Sequence, residues 1–74
     1  IVYISDTYNH CIRKIDGSQN VITVAGICKQ SGYRNGFYNQ ALFSYPRRIS
    51  FDAFGNLYVA DSGNHRIRKV NLIP

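Results

Sequence analysis

Residues 57–71 read LYVADSGNHRIRKVN, and residues 2–16 read VYISDTYNHCIRKID. The two stretches align without a gap, and seven of the fifteen positions are identical. The identical pairs are Tyr3/Tyr58, Asp6/Asp61, Asn9/Asn64, His10/His65, Ile12/Ile67, Arg13/Arg68 and Lys14/Lys69. So dense an identity indicates an internal repeat with a period of 55 residues, since residue 2 aligns with residue 57. We name residues 2–16 the first repeat and residues 57–71 the second repeat.

Each repeat is predicted to form a β-hairpin. In the second repeat, the run LYVA (57–60) alternates apolar side chains between two faces, which is the period-two pattern of a strand. The turn sequence DSGN follows, and then a second strand, RIRKV. Glycine and asparagine take positive φ readily, so Gly63 and Asn64 are the expected left-handed residues. In the first repeat Tyr8 replaces the glycine, and Asn9 is expected to take that role.

Two further strands are predicted between the hairpins. Residues 20–26 are dense in β-branched side chains, and residues 46–52 alternate apolar and polar positions. A long connection, residues 27–45, separates the two strands and contains a turn at residues 32–36. Residues 41–43 (Ala-Leu-Phe) are expected to pack beneath it as one short helical turn. The sequence therefore predicts an all-β chain of antiparallel strands whose sheets stack on neighbouring sheets.

The repeat resembles the NHL repeat, which is named for an Asn-His-Leu-type signature. Here the signature stands as Asn64-His65-Arg66-Ile67, and in the first repeat as Asn9-His10-Cys11-Ile12. The segment VITVAG…GYRNG…ALFSYPRRISFD (21–52) is similar to the long form of the family, in which a Val-Ala-Gly strand end leads to a Gly-Tyr-x-x-Gly turn and a Pro-led strand.

This resemblance implies a β-propeller, commonly with six blades of four antiparallel strands each. On that template, residues 1–26 supply the last three strands of one blade. Residues 27–45 form the inter-blade connection, and residues 46–74 supply the first three strands of the next blade. The chain then holds about one and a third repeats and is expected to be a fragment of a longer propeller.

The histidines and aspartates of the two repeats are the candidates for chemistry. Propellers related to this family, the peptidyl-amidating lyases, use histidines of successive blades around a central zinc. Two histidines without a third ligand make a weak metal site, however. Asp6 and Asp61 lie a blade apart, so they do not form the carboxylate pair that a hydrolase needs. We therefore predict no catalytic residue, metal site or cofactor, and a metal-dependent lyase or hydrolase is the least favoured alternative. Structural roles at the turns are predicted for Asp6, Asn9, His10, Asp61, Asn64 and His65.

The two cysteines allow two interpretations. Cys11 aligns with Arg66, so it does not belong to the repeat signature, and Cys28 follows a strand end. A lone thiol is most often buried and inert. A Cys11–Cys28 disulfide in an oxidising compartment is the other interpretation, and the sequence leaves both open.

The composition gives a charge pattern and excludes some classes of protein. Hydrophobic residues make up 45% of the chain and charged residues 18%, which is unlike a disordered tail. No apolar stretch approaches 18 residues, so no membrane insertion is expected. Nine Lys and Arg against four Asp and Glu give a net charge of +5, which favours anionic partners.

The predicted function is that of a non-catalytic scaffold that binds a protein partner through loops on a rigid frame. The alternative is binding of single-stranded RNA, because basic segments and loop tyrosines can hold phosphates and stack on bases. Open blade edges would also allow the fragment to associate with itself. The candidate contact residues are Arg34, Tyr38, Arg47, Arg48, Arg66, Arg68 and Lys69.

Overall fold

The computed structural model describes residues 2–70 and residue 72. Six strands form two antiparallel three-stranded sheets, in the orders β1-β2-β3 and β4-β5-β6. The strands are β1 (Val2–Asp6), β2 (Cys11–Ile15), β3 (Val21–Gly26), β4 (Pro46–Phe51), β5 (Leu57–Asp61) and β6 (Arg66–Val70). Single-turn 3-10 helices at Thr7–Asn9 and Ser62–Asn64 are the only helices among the described residues, and none there could cross a membrane. The predicted all-β fold of antiparallel blades is confirmed.

The two repeats fold into the same hairpin with the same register. Asp6, the last residue of β1, pairs with Cys11 at the start of β2. In the second repeat, Asp61 ends β5 and pairs with Arg66 at the start of β6. Asp61 and Arg66 each lie 55 positions after their counterparts, Asp6 and Cys11. The repeat in the sequence is therefore also a repeat in backbone structure and strand pairing.

Each hairpin turns through a left-handed histidine. His10 has a φ of 61° and His65 a φ of 57°, and each N–H donates to the carbonyl oxygen three residues earlier. The prediction that Gly63, Asn64 and Asn9 would take positive φ is therefore wrong. These positions lie inside the two 3-10 turns, so the residue after each turn must reverse the chain. Histidine is among the non-glycine residues that tolerate this conformation.

The turns after β2 and β4 share a second motif. Asp52 Oδ1 accepts hydrogen bonds from the N–H groups of Phe54 and Asn56, each at 2.9 Å, and the Asn56 side-chain amide donates to Asp52 Oδ2 at 2.9 Å. Asp16 and Asn20 form the same bonds in the other turn. These bonds favour the charged carboxylate. They lower the pKa of Asp52 to about 2, chiefly through the Asn56 side chain, and lower the pKa of Asp16, chiefly through the Asn20 N–H.

Acidification is expected to destabilise the fold partly through Asp52. Its pKa is about 2 in the folded chain, against about 3.9 for an unfolded aspartate. Between these values the unfolded chain binds the proton, so the contribution of Asp52 is present above about pH 4 and is lost as the pH falls through about 2. In urea unfolding, the difference in stability between wild type and an Asp52→Asn variant should shrink as the pH falls from about 4 to about 2. Parallel pH profiles for the two proteins would contradict this assignment.

The core is shared by both sheets and the connection. Its members are Ile12, Ala25, Ala41, Phe43, Leu57, Val59 and Val70. Residues 41–43 are buried as expected. The predicted helical turn lies just before them instead, where the N–H groups of Gln40 and Ala41 both donate to the Phe37 carbonyl oxygen. The buried run itself is not helical, and Leu42 forms an isolated antiparallel β-bridge with Arg34.

The two cysteines form a disulfide, which settles the alternative left open by the sequence. Cys11 and Cys28 are bonded, with their Cα atoms 5.0 Å apart. Beside the bond, the Lys29 N–H donates to the Asn9 carbonyl oxygen at 2.6 Å. The disulfide and this hydrogen bond join the start of β2 to the start of the connection.

Candidate functional site

The connection bonds to the second repeat through a buried cluster, Asp61, Asn64 and Arg68. Asp61 Oδ2 accepts from Asn64 Nδ2 at 2.8 Å and from Arg68 Nη1 at 2.6 Å. Asp61 Oδ1 accepts from the Ser44 N–H of the connection at 2.7 Å. The exposed fraction is 0% for Asp61 and 6% for Arg68. A structural role at its own turn was predicted for Asp61; among the described residues, its backbone donor is Ser44, which belongs to the connection.

Arg68 extends these bonds along the connection. Its Nη1 also donates to the Leu42 carbonyl oxygen at 3.0 Å, and its Nη2 to the Arg34 carbonyl oxygen at 2.8 Å. The guanidinium lies 4.6 Å from the centroid of the Tyr33 ring. A planar group with several donors is suited to bonding several acceptors at once. Arg68, which was predicted as a partner contact, thus lies inside the protein, where its guanidinium bonds the connection and Asp61.

The same three residue types recur in the first repeat as Asp6, Asn9 and Arg13. Asn9 Nδ2 donates to both carboxylate oxygens of Asp6 at 3.1 Å, and Arg13 Nη1 lies 3.6 Å from Asp6 Oδ2. These side chains are about one third exposed, at 34% for Arg13 and 28% for Asp6. The second cluster is more buried because the connection bonds its charged groups directly: Ser44 bonds Asp61, and the Leu42 and Arg34 carbonyl oxygens accept from Arg68.

Gly63 marks the place where the connection passes closest to a turn. A Cβ at Gly63 would lie 2.6 Å from the Ser44 carbonyl oxygen, which accepts the Gly63 N–H at 2.7 Å. Glycine is needed here for this close approach rather than for its φ. The first repeat has Tyr8 at the equivalent position, and its side chain is 84% exposed.

Tyr8 forms an aromatic corner with His10 and Tyr45. The Tyr45 ring centroid lies 6.2 Å from that of Tyr8 and 4.5 Å from that of His10, in both cases edge to face. The Tyr45 N–H donates to His10 Nδ1 at 3.1 Å. Tyr45 has a φ of 49° although it precedes proline, a position that favours extended backbone. Strained backbone of this kind is often found at functional sites.

Two hydroxyl groups of the first repeat hold the start of β4 beside this corner. Thr7 Oγ1 donates to the Pro46 carbonyl oxygen and Ser5 Oγ to the Arg47 carbonyl oxygen, both at 2.8 Å. With the His10 bond to Tyr45, they fix three successive residues of the chain. Arg47 lies two residues after Tyr45, and its side chain is exposed.

The structure distributes the remaining predicted contact residues over several surfaces. Arg66 is exposed and stacks on Tyr33 at 4.5 Å, while Arg34 is exposed but donates through Nε to the Gln40 carbonyl oxygen at 2.7 Å. Tyr38 is half-buried and packs against the core. Two predicted cations on separate strands are exposed: Arg48 and Lys69.

Tyr45 is the surface residue that sequence reasoning missed. The signal available was a tyrosine directly before the proline that opens β4, next to the predicted Arg47 and Arg48. Contact with Tyr8 and His10 joins residues 35 or more positions apart, which the local pattern does not reveal.

The described residues contain no group of three His, Cys, Asp or Glu side chains that could hold a metal ion. His10 already accepts a backbone N–H through Nδ1. His65 is exposed at the equivalent turn. The arrangement offers stacking, hydrogen bonding and charge rather than a cluster of metal ligands.

Comparisons with known proteins agree with the repeat. The NHL repeat family model matches residues 43–70. Protein SUPPRESSOR OF QUENCHING 1, chloroplastic, of Arabidopsis thaliana is 38% identical over 72 residues, which cover 96% of this chain and 7% of that protein. NHL repeat-containing protein 2 is 34% identical in Gallus gallus and 31% in Homo sapiens, over 97% of the chain and 10% of those proteins. The chain spans a tenth or less of the length of these curated relatives. The internal repeat, the paired hairpins and these relatives all agree with the family match, so residues 43–70 form an NHL repeat.

Proposed function

We propose that this chain is a non-catalytic part of an NHL propeller that binds a protein partner, and that the aromatic corner is its contact surface. The observation that carries the proposal is the pair of exposed rings, Tyr8 at 84% and Tyr45 at 47%. Tyrosine buries a large area at a small entropic cost, and tyrosine and arginine are enriched among residues that dominate binding energy.

The backbone around the corner supports this proposal. Thr7, Ser5 and His10 bond the segment that carries Tyr45, and the disulfide lies next to the Tyr8 turn. A surface held in this way loses little conformational freedom on binding. The net charge of +5 and the exposed side chains of Lys29 and Arg47 favour an acidic partner segment.

The experiment is a selection of 12-residue peptides displayed on phage, with the full chain immobilised. Selected peptides are expected to be rich in Asp and Glu and to contain an apolar residue. Their affinity should fall about tenfold or more for a Tyr8→Ser, Tyr45→Ser double variant, which loses both rings. The matched control is Phe54→Ser, since Phe54 is 91% exposed at the opposite end of β4.

An RNA arm separates this proposal from the alternative. A 12-nucleotide oligo-uridine is titrated into the chain at low and moderate salt. Strong, salt-sensitive RNA binding that is lost in the double variant, with no peptide binding, would assign the corner to nucleic acid. Equal peptide affinity for wild type and the double variant would show that the partner binds elsewhere.

A further inference from the structure

The aromatic corner contains a hydrogen bond that one proton can break. The Tyr45 N–H donates to His10 Nδ1 at 3.1 Å. A neutral imidazole has one nitrogen that accepts and one that donates, whereas a protonated imidazole has two donors and no acceptor. The bond therefore requires a neutral His10 that carries its proton on Nε2. A second proton and the Tyr45 N–H compete for the same lone pair of Nδ1.

The same imidazole is packed against the Tyr45 ring. The two ring centroids lie 4.5 Å apart with their planes at 80°, and the Tyr45 centroid lies 6.2 Å from that of Tyr8. His10 is half-buried, whereas Tyr8 and Tyr45 are both exposed. A change in the position of the imidazole would therefore reach the exposed rings without opening the core.

The backbone on both sides of Tyr45 is held by groups that do not titrate near neutral pH. The Pro46 carbonyl oxygen accepts from Thr7 Oγ1 at 2.8 Å, and the Ser44 carbonyl oxygen accepts from the Gly63 N–H at 2.7 Å. A hydroxyl and a backbone amide keep their protons when an imidazole gains one. The response to a proton is therefore confined to the side chains of the corner.

The elements packed around the His10 turn carry both signs of charge. Their titratable and charged groups are Asp6 and Tyr8 of the same hairpin, Lys29 at the start of the connection, and Tyr45, Arg47 and Arg48 around the start of β4. The end of β3, which meets the His10 carbonyl oxygen at Gly26, carries none. The Asp6 carboxylate already contacts Asn9 and Arg13. Within residues 2–70 and 72, no carboxylate forms a salt bridge with His10 that would hold a protonated ring in place.

We propose that protonation of His10 opens the aromatic corner, so that the corner binds its partner at neutral pH and releases it on acidification. A protonated Nδ1 becomes a donor that faces the Tyr45 N–H. The imidazole then turns away, and its edge-to-face contact with the Tyr45 ring is lost. Histidine is the side chain that ordinarily changes its charge between about pH 5 and 8. The effect on binding rests on the function proposed above, whereas the movement of the rings does not.

His65 provides a comparison within the same chain. It follows the equivalent 3-10 turn, with a φ of 57° against 61° for His10. It is exposed, and no hydrogen bond to its side chain is found in the part of the chain that the structure describes. Its protonation breaks no such bond, so His65 is expected to titrate without moving its neighbours.

The first test is an NMR titration of the ¹⁵N-labelled full chain from about pH 8 to about pH 5. At the upper pH, His10 Nδ1 should show the shift of an unprotonated acceptor. The Tyr45 amide and the ring protons of Tyr8 and Tyr45 should then change with the midpoint of His10 and not with that of His65. This measurement needs neither a variant nor a partner.

A His10→Asn variant is the matched control. Asparagine tolerates positive φ, and its Oδ1 accepts the Tyr45 N–H at every pH. The pH response of the Tyr45 amide should therefore disappear in this variant and persist in His65→Asn.

The second test measures the affinity of a corner-dependent peptide from the selection described above. For wild type it should fall about fivefold or more over this pH range, because the fraction of chains with a closed corner decreases. For His10→Asn it should stay nearly constant, since peptide carboxylates titrate at about pH 4, below this range.

Three results would overturn the inference. A neutral His10 with its proton on Nδ1 would remove the hydrogen bond on which the switch depends. A Tyr45 amide and ring that stay constant while His10 titrates would show that the corner does not open. Equal loss of peptide affinity in wild type and His10→Asn would assign the pH dependence to another group. If no selected peptide depends on Tyr8 and Tyr45, the proposed function fails, and the NMR titration still decides whether the rings move.

Discussion

Replacing Arg68 by alanine is expected to lower the free energy of unfolding by about 3–5 kcal/mol, which is the usual effect of breaking a buried ion pair from one side. The variant leaves the Asp61 carboxylate buried without its cation, since Asp61 is 0% exposed. It also removes the donors to the Leu42 and Arg34 carbonyl oxygens. A loss of this size is comparable with the whole stability of a small domain. We therefore expect most of the variant to be unfolded in buffer.

The first repeat supplies a matched control. Arg13 Nη1 lies 3.6 Å from Asp6 Oδ2, and the two residues occupy the positions equivalent to Arg68 and Asp61. Both side chains are about one third exposed. Exposed ion pairs contribute about 0–1 kcal/mol, so Arg13→Ala should shift the urea midpoint only slightly. Urea unfolding followed by far-UV circular dichroism measures both variants. Similar shifts for the two would show that burial beneath the connection does not set the energy of the cluster.

Loss of the disulfide is expected to lower the free energy of unfolding by about 3 kcal/mol. Cys11 and Cys28 are 17 residues apart, and a loop of about this length restricts the unfolded chain by that amount. The effect should be seen in a Cys11→Ala, Cys28→Ala double variant and in wild type treated with dithiothreitol. Cys11 is 0% exposed, so alanine fits its site without adding a polar group.

The reductant provides its own control in this experiment. Dithiothreitol should move the urea midpoint of wild type to that of the double variant and leave the double variant unchanged. A wild-type midpoint that does not respond to the reductant would mean that the bond adds nothing to stability. A response of the double variant would show that the reductant acts by another route.

The strands were predictable because the same hairpin pattern occurs twice in the sequence, at residues 2–16 and 57–71. Alternation of apolar side chains in residues 57–60, and the turn residues that follow, gave strand positions close to those of β5 and β6. The left-handed residue was predicted wrongly because propensity favours Gly63, whereas the 3-10 turn moves the reversal to His65. The length of the 3-10 turn, and not the intrinsic preference of glycine, therefore decides which residue takes the positive φ.

Burial of individual cations was not predictable in the same way. Arg66, Arg68 and Lys69 lie in one short strand and look alike in the sequence. Only Arg68 is buried, because the connection folds back over that position and brings carbonyl oxygens to it. The aromatic corner was missed for the same reason, since Tyr45 meets Tyr8 only after the two sheets pack together.

The connection touches both repeats at once, and this restricts how such a protein can change length during evolution. Leu42 and Ser44 of the connection bond the cluster that follows it, through Arg68 and Asp61. The next residue, Tyr45, bonds His10 of the turn that precedes the connection. A duplication or deletion that is not a whole period would separate one of these partners from the other. Gain or loss of units in multiples of 55 residues keeps each such pair of positions together, wherever in the period the exchange occurs.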